Sequence, residues 1–168
     1  MTVDGNFPAG GSANPGTTQD VVGGKKEIWV QVLEKAYAKL HGGYSGIKDG
    51  GSPTDAMEAL TGEKADEKST GGLFGGISQK DLLAAFKAGK PIVMNTPDTK
   101  KQLPFNLVPN HAYMLEDIGV DANGKAQIKL RNPWGTTQLQ PPLPIPFEKL
   151  HSGIDSLDIG GTLPKDKP

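Results

Sequence analysis

The sequence predicts an α+β fold, with mainly antiparallel twisted sheets, one long helix and two short ones. Three observations lead there. Two alternating runs, 111–117 and 125–131, flank Gly119-Val-Asp-Ala-Asn-Gly124, whose Asp, Asn and Gly residues mark a hairpin connection. The stretch 27–41 carries apolar residues at three- and four-residue spacing, the signature of an amphipathic helix. Gly (23) and Pro (14) are abundant and apolar residues make up only 35% of the chain, which favours short strands and many turns over a helix bundle.

A chain of 168 residues is long enough for one domain with a true core. Its net charge is −1 with acids and bases interleaved, which argues against a nucleic-acid or polybasic membrane surface. No apolar run approaches the ~18 residues of a membrane span, and the first residues lack a signal-peptide pattern. The expectation is a soluble chain with a cytoplasmic location, with secretion by a route without a signal peptide also compatible. There is no cysteine. That removes disulfides, thiolate metal sites and a cysteine nucleophile from this chain.

Residues 1–26 read as a flexible Gly/Pro-rich arm, with Thr2-Val3 or Val21-Val22 available for a short edge strand. In the 27–41 helix the stripe Trp29, Val32, Leu33, Ala36, Tyr37 and Leu40 is expected to face the core, and Gly42-Gly43 ends it. Tyr44 to Gly51 reads as a Gly-rich loop. Ser52-Pro53-Thr54-Asp55 starts a short helix over 53–61, with an N-cap, a proline at the first helical position and an early acid. Residues 62–76 read as a mobile loop and lack the ending of a phosphate-binding motif. Ser78 with Asp81 caps a helix over 79–88, built on Leu82, Leu83, Ala85 and Phe86. Pro91 to Thr96 is a strand, and 97–110, with three prolines, is a loop leading to His111. The run from Gln140 to Pro146 predicts an extended connection without regular pairing. One helical turn at 146–150 and a last strand at 156–159 complete the domain 27–162, leaving 163–168 as a tail.

Of the three histidines, His41 follows a helix end and His151 a short turn, and both read as solvated or capping residues. No pair has metal-ligand spacing. Ser45 lacks the second glycine of a nucleophile elbow, and nothing selects a carboxylate pair for hydrolysis.

His111 and Asn132 remain. One hairpin register sets Leu115 opposite Ile128, Tyr113 opposite Leu130 and His111 opposite Asn132, with Cβ atoms about 5 Å apart. A tight Asn123-Gly124 turn would instead set Asn132 opposite Leu115 and leave His111 roughly 13 Å away. The first register demands a wide loop. It lets the Asn132 carboxamide oxygen accept the imidazole Nδ1–H, fixing the tautomer and leaving Nε2 to act as a base. Trp134, two residues on, is placed to cover that bond.

Three segments resemble the calpain family of papain-like cysteine proteases: Ile28 to Leu40 with Gly43-Tyr44, then His111-Ala-Tyr113, then Leu130-Arg-Asn-Pro-Trp-Gly135. Looser matches are Val3-Asp4 with Pro8, Leu60-Thr-Gly62, and Pro146 to Leu150. The resemblance is to the second, His/Asn lobe of the protease core, and the chain starts about where that lobe starts. It implies a papain-like C-terminal lobe, with His111 as general base, Asn132 as its orienter and Trp134 as a shielding indole. The family's Gln-Gly…Gly-Asp-Cys-Trp segment is absent. The partner implied is therefore a Cys-bearing first lobe, the substrate a protein or peptide, and the isolated chain inactive. No cofactor is needed for the chemistry. Calcium is common in the family, but no ligands can be assigned here, since Asp117, Asp121 and Asn123 read as turn residues. The alternative is a non-catalytic protein-binding module that keeps the lobe's fold.

Overall fold

A computed structural model describes residues 2–3, 21–22, 25–26, 29–71, 76–134 and 141–162. Most of the expected arm, the glycines at 72 and 75, and the tail lie outside the described residues. The chain divides into two compact units: Met1–Ser52 with Trp134–Gln138, and Pro53–Pro133 with Leu139–Pro168.

In the first unit, β1 (Val21–Val22) pairs antiparallel with β2 (Lys25–Lys26), so the valine pair forms a strand while Thr2 and Val3 do not. Helix α1 spans Trp29–Leu40. It ends as the glycines require: Gly42 takes a left-handed φ of 80° and Gly43 N–H reaches back to the Ala38 carbonyl at 2.8 Å. The expected apolar stripe is only partly covered. Val32, Ala36 and Tyr37 are half-buried and Leu33 and Leu40 are 40% and 57% exposed, while the fully buried position is Ala38, which lies outside the expected stripe. The covered face is the one turned toward Thr2, Val3 and Tyr44, which line a groove with Ala38. The loop expected after Gly43 contains a one-turn helix, α2 (Tyr44–Ile47). Gly46 makes that turn possible, since a Cβ there would sit 1.9 Å from the His41 carbonyl oxygen.

The second unit is built on a six-stranded sheet, β3 (Asp66–Ser69), β4 (Ile92–Asn95), β5 (Ala112–Val120), β6 (Ala126–Arg131), β7 (Ile145–Pro146) and β8 (Ser156–Ile159). Its strand order is β3-β8-β4-β5-β6-β7, with antiparallel pairing throughout. The α+β class is as the sequence predicts. Ile92, Met94, Tyr113, Leu115, Ile128, Leu130, Ile145 and Leu157 form one buried face of the sheet. Leu82 and Phe86 of α4 (Gln79–Lys87) pack on this core, as do Leu103, Leu107, Leu150 and Ile154. The Ser78 hydroxyl caps α4, accepting from Asp81 N–H at 3.1 Å and donating to its carboxylate at 2.7 Å. Helix α3 (Pro53–Thr61) starts at its proline and brings Met57 against the end of β8. A Cβ at Gly160 would lie 2.9 Å from the Met57 sulfur and 2.6 Å from Pro91.

Two expected loops contain strands. β3 lies inside 62–76, and β7 ends the proline run, with Ile145 opposite Ile128 and Pro146 opposite Gln127. β7 is an edge strand, the position where a residue without an N–H is tolerated. The turn expected at 146–150 is a 3-10 helix over Phe147–Ser152.

Candidate active site

The β5–β6 hairpin takes neither register considered from sequence. Next to the turn Ile118 faces Ile128 and Val120 faces Ala126; beyond a bulge at Glu116, Leu115 faces Leu130 and Met114 faces Arg131. The cause is packing. Tyr113, Leu115 and Ile118 all turn toward the core side, and the step from 115 to 118 is odd, so one extra residue must be absorbed. The bulge leaves Glu116 and Asp117 both exposed, and Glu116 reaches Lys129 at 3.0 Å. The connection is wide. Asp121 N–H donates to the Lys125 carbonyl at 2.8 Å, and Gly124 adopts a left-handed φ of 77°. One Asp121 carboxylate oxygen accepts from Asn123 N–H at 2.8 Å and Lys125 N–H at 2.9 Å.

His111 immediately precedes β5 and Asn132 immediately follows β6. Extending the observed register would set Tyr113 opposite Asn132, so His111 and Asn132 are diagonal neighbours on the buried face rather than directly opposed. Diagonal Cα atoms lie roughly 7–8 Å apart, a gap that an imidazole and a carboxamide can span. They do span it: His111 Nε2 and Asn132 Oδ1 are 3.0 Å apart, and Asn132 is only 6% exposed. The nitrogen differs from the expectation. Since Oδ1 can only accept, Nε2 carries the proton and Nδ1 becomes the basic nitrogen. The physical reason is the diagonal approach, which meets the far end of the ring rather than its near edge.

Two residues that the sequence reading passed over hold His111 in place. Thr96, 6% exposed, accepts from His111 N–H through its hydroxyl at 2.9 Å, and its own N–H donates to the His111 carbonyl at 2.9 Å. Tyr113, fully buried, meets the imidazole edge-on, with ring centroids 4.9 Å apart at 89°. Its hydroxyl accepts from Val108 N–H at 2.9 Å, and burial holds its pKa above the usual phenol value despite that bond. The strand pattern marks Tyr113 only as a core residue. Thr96 carries no signal beyond its place at a strand end.

Trp134 falls in the first compact unit and is 42% exposed. His41 packs against Tyr37 with ring centroids 4.3 Å apart at a 45° tilt, and His151 lies in the 3-10 helix beside Gly71. Among the described residues, no group of three His, Asp or Glu side chains could hold a metal ion. No described helix is long and apolar enough to cross a membrane.

An imidazole bonded to a buried carboxamide is an arrangement that could serve as the base and orienter of a nucleophile–base–orienter constellation. Comparison with known sequences gives the class: the family described as calpain family cysteine protease matches residues 2–143. The chain is 38% identical to Calpain-A of Drosophila melanogaster over 121 residues, 66% of this chain and 14% of that protein. It is 34% identical to Calpain-9 of Rattus norvegicus over 69% of this chain and 18% of the relative. It is 36% identical to the Calpain-2 catalytic subunit of Homo sapiens over 67% of this chain and 17% of the relative. The chain belongs to the calpain family of cysteine proteases. The matched stretch spans less than a fifth of each of these relatives' length.

Proposed function

We propose that this chain is the His/Asn half of a calpain-like cysteine endopeptidase, completed by a Cys-bearing lobe carried on the same polypeptide or on another. The observation that supports it best is the 3.0 Å bond between His111 Nε2 and the buried Asn132 carboxamide, in a family of cysteine proteases. With Nε2–H donated to Asn132, His111 Nδ1 takes the proton of the incoming thiol. The thiolate adds to the peptide carbonyl, and Nδ1–H then protonates the departing amine as the C–N bond breaks. A water, deprotonated by Nδ1, hydrolyses the resulting thioester and frees the thiol. Asn132 holds one tautomer through these transfers and stabilises the imidazolium.

Without a cysteine, the isolated chain is expected to be inactive. Supplying the first lobe in cis or in trans should produce Cys-dependent endopeptidase activity. His111→Ala should then lower kcat/KM by about 10²–10⁴-fold, and Asn132→Ala by about 10- to 100-fold, the worth of a hydrogen bond to a charged group. Failure of every such reconstitution would reject this reading. It would favour instead a non-catalytic protein-binding module, for which the absence of cysteine is the supporting observation. No cofactor enters these steps. Chelation of the reconstituted enzyme tests calcium dependence directly.

A further inference from the structure

His111 is approached from two sides by residues that also grip a single residue, Val108, in the loop before it. The Thr96 hydroxyl lies 2.7 Å from the Val108 carbonyl oxygen, 2.9 Å from His111 N and 3.0 Å from the His111 carbonyl oxygen. A hydroxyl has one proton and two lone pairs. The shorter contact gives its proton to Val108 C=O, and a lone pair receives His111 N–H. The other side of the same loop segment, Val108 N–H, goes to the Tyr113 hydroxyl, and the Tyr113 ring stands edge-on to the His111 ring. Val108 is thus tied through both of its backbone groups to residues that touch His111, one at the backbone and one at the ring.

The same residues close the loop 97–110. Asn95 faces Ala112 in the β4–β5 ladder, so the next rung joins Thr96 to His111. Thr96 N–H bonds the His111 carbonyl as a ladder rung would, but His111 N–H goes to the threonine side chain. Asn110, with a left-handed φ of 48°, donates its N–H to the Pro97 carbonyl at 3.0 Å and brings the chain back to that rung. A buried hydroxyl in this position does more than satisfy the backbone. It ties the His111 backbone to the end of β4, from which the imidazole reaches Asn132.

We propose that Thr96 is a positioning residue for His111: its hydroxyl, bridging the Val108 carbonyl and the His111 amide, holds the imidazole so that Nε2–H meets Asn132 and Nδ1 is presented as the base. The role of that base rests on the endopeptidase reading; the orientation does not. A threonine that served stability alone would lower the melting temperature when replaced and leave the imidazole tautomer unchanged.

The test is the ¹⁵N spectrum of the His111 imidazole in this chain, recorded above the pH at which the ring is protonated. The parent should show predominantly the Nε2–H tautomer, with slow exchange of that proton. Thr96→Val keeps the shape and removes the hydroxyl. It should move the ring toward a mixture of tautomers and speed Nε2–H exchange at least 10-fold, and Thr96→Ser should restore the parent spectrum. A folded Thr96→Val chain with the parent's tautomer and exchange rate would overturn the proposal, as would a parent without Nε2–H preference. If Thr96→Val does not fold, Tyr113→Phe carries the test, because it releases Val108 from the other side. A shift toward mixed tautomers supports the bracing by Val108, and an unchanged ring overturns it. These measurements need no nucleophile, so a failed reconstitution of activity would reject the endopeptidase reading and leave this result standing on its own.

Discussion

Asp121 and Asp158 show how differently two aspartates can be used within one sheet. Asp121 accepts two turn amides, and the Lys125 N–H, first among these influences, holds its pKa below the ordinary value. A carboxylate of this kind adds stability above its unfolded pKa of about 3.9 that is lost as pH falls through the lower folded value. Asp158 is the opposite case. It is 2% exposed, receives Asn95 Nδ2–H at 2.6 Å and faces Glu67 across the β3–β8 pair. Burial raises its pKa, with Glu67 adding to the effect and Asn95 opposing it. The folded state then holds the proton more tightly than the unfolded state, so this contribution declines as pH rises from about 4 through the folded value. Melting curves from pH 3.5 to 7 should show Asp158→Asn losing that decline, while Asp121→Asn loses part of the acid-limb destabilisation. A parallel pair of profiles for the parent and Asp158→Asn would contradict this. At Tyr113, replacement by Phe should cost about 1–3 kcal/mol in denaturant unfolding, since it leaves the Val108 N–H without its acceptor.

At the scale of elements, the hairpin bulge fixes which side chains enter the core. Deleting Glu116 would remove the extra residue and leave Leu115, Asp117 and Ile118 in plain alternation, with Leu115 and Ile118 both still turned toward the core. That deletion should cost little more than Glu116→Ala, which removes an exposed ion pair with Lys129 worth about 0–1 kcal/mol, and a large extra loss would show that the bulge itself is required. Thermal unfolding of the two variants compares them directly. The elements legible in the sequence are those with an interior or a cap to announce them. Pro53 opens α3, Ser78 and Asp81 open α4, and Ser156 to Ile159 is a strand. β3 was hidden because all four of its residues are exposed; only pairing with β8 defines it. β7 was hidden by Pro146, whose missing N–H is harmless at an edge. For the site, the sequence singled out His111 and Asn132, and the structure brings the two side chains within 3.0 Å. Sequence alone could not supply the bulge, and without the bulge the diagonal approach and the bonded nitrogen were both out of reach. Thr96 was invisible because its work is done on backbone groups of residues far along the chain.

On the scale of the whole second unit, its sheet is laid down out of order. β8, the last of the described strands, sits between β3 and β4. Leu157 is fully buried there against Met94, and Thr70 is bonded through its hydroxyl to the Ile154 carbonyl. The family match ends at residue 143, short of this strand. A chain shortened to that boundary should fail to give a cooperative unfolding transition, because β3 would lose its partner and β4 one of its two neighbours. Truncation after Thr162 should leave the transition intact, and circular dichroism with thermal melts separates the outcomes.

That late insertion also orders events during synthesis. Most of the sheet emerges from the ribosome with a gap in its middle, and the edge of β4 stays open until β8 arrives. The nascent chain therefore passes through a stage in which an apolar strand can pair with the wrong partner. A stalled nascent chain that has released residues up to about 155 should aggregate more than one that has also released residues 156–162.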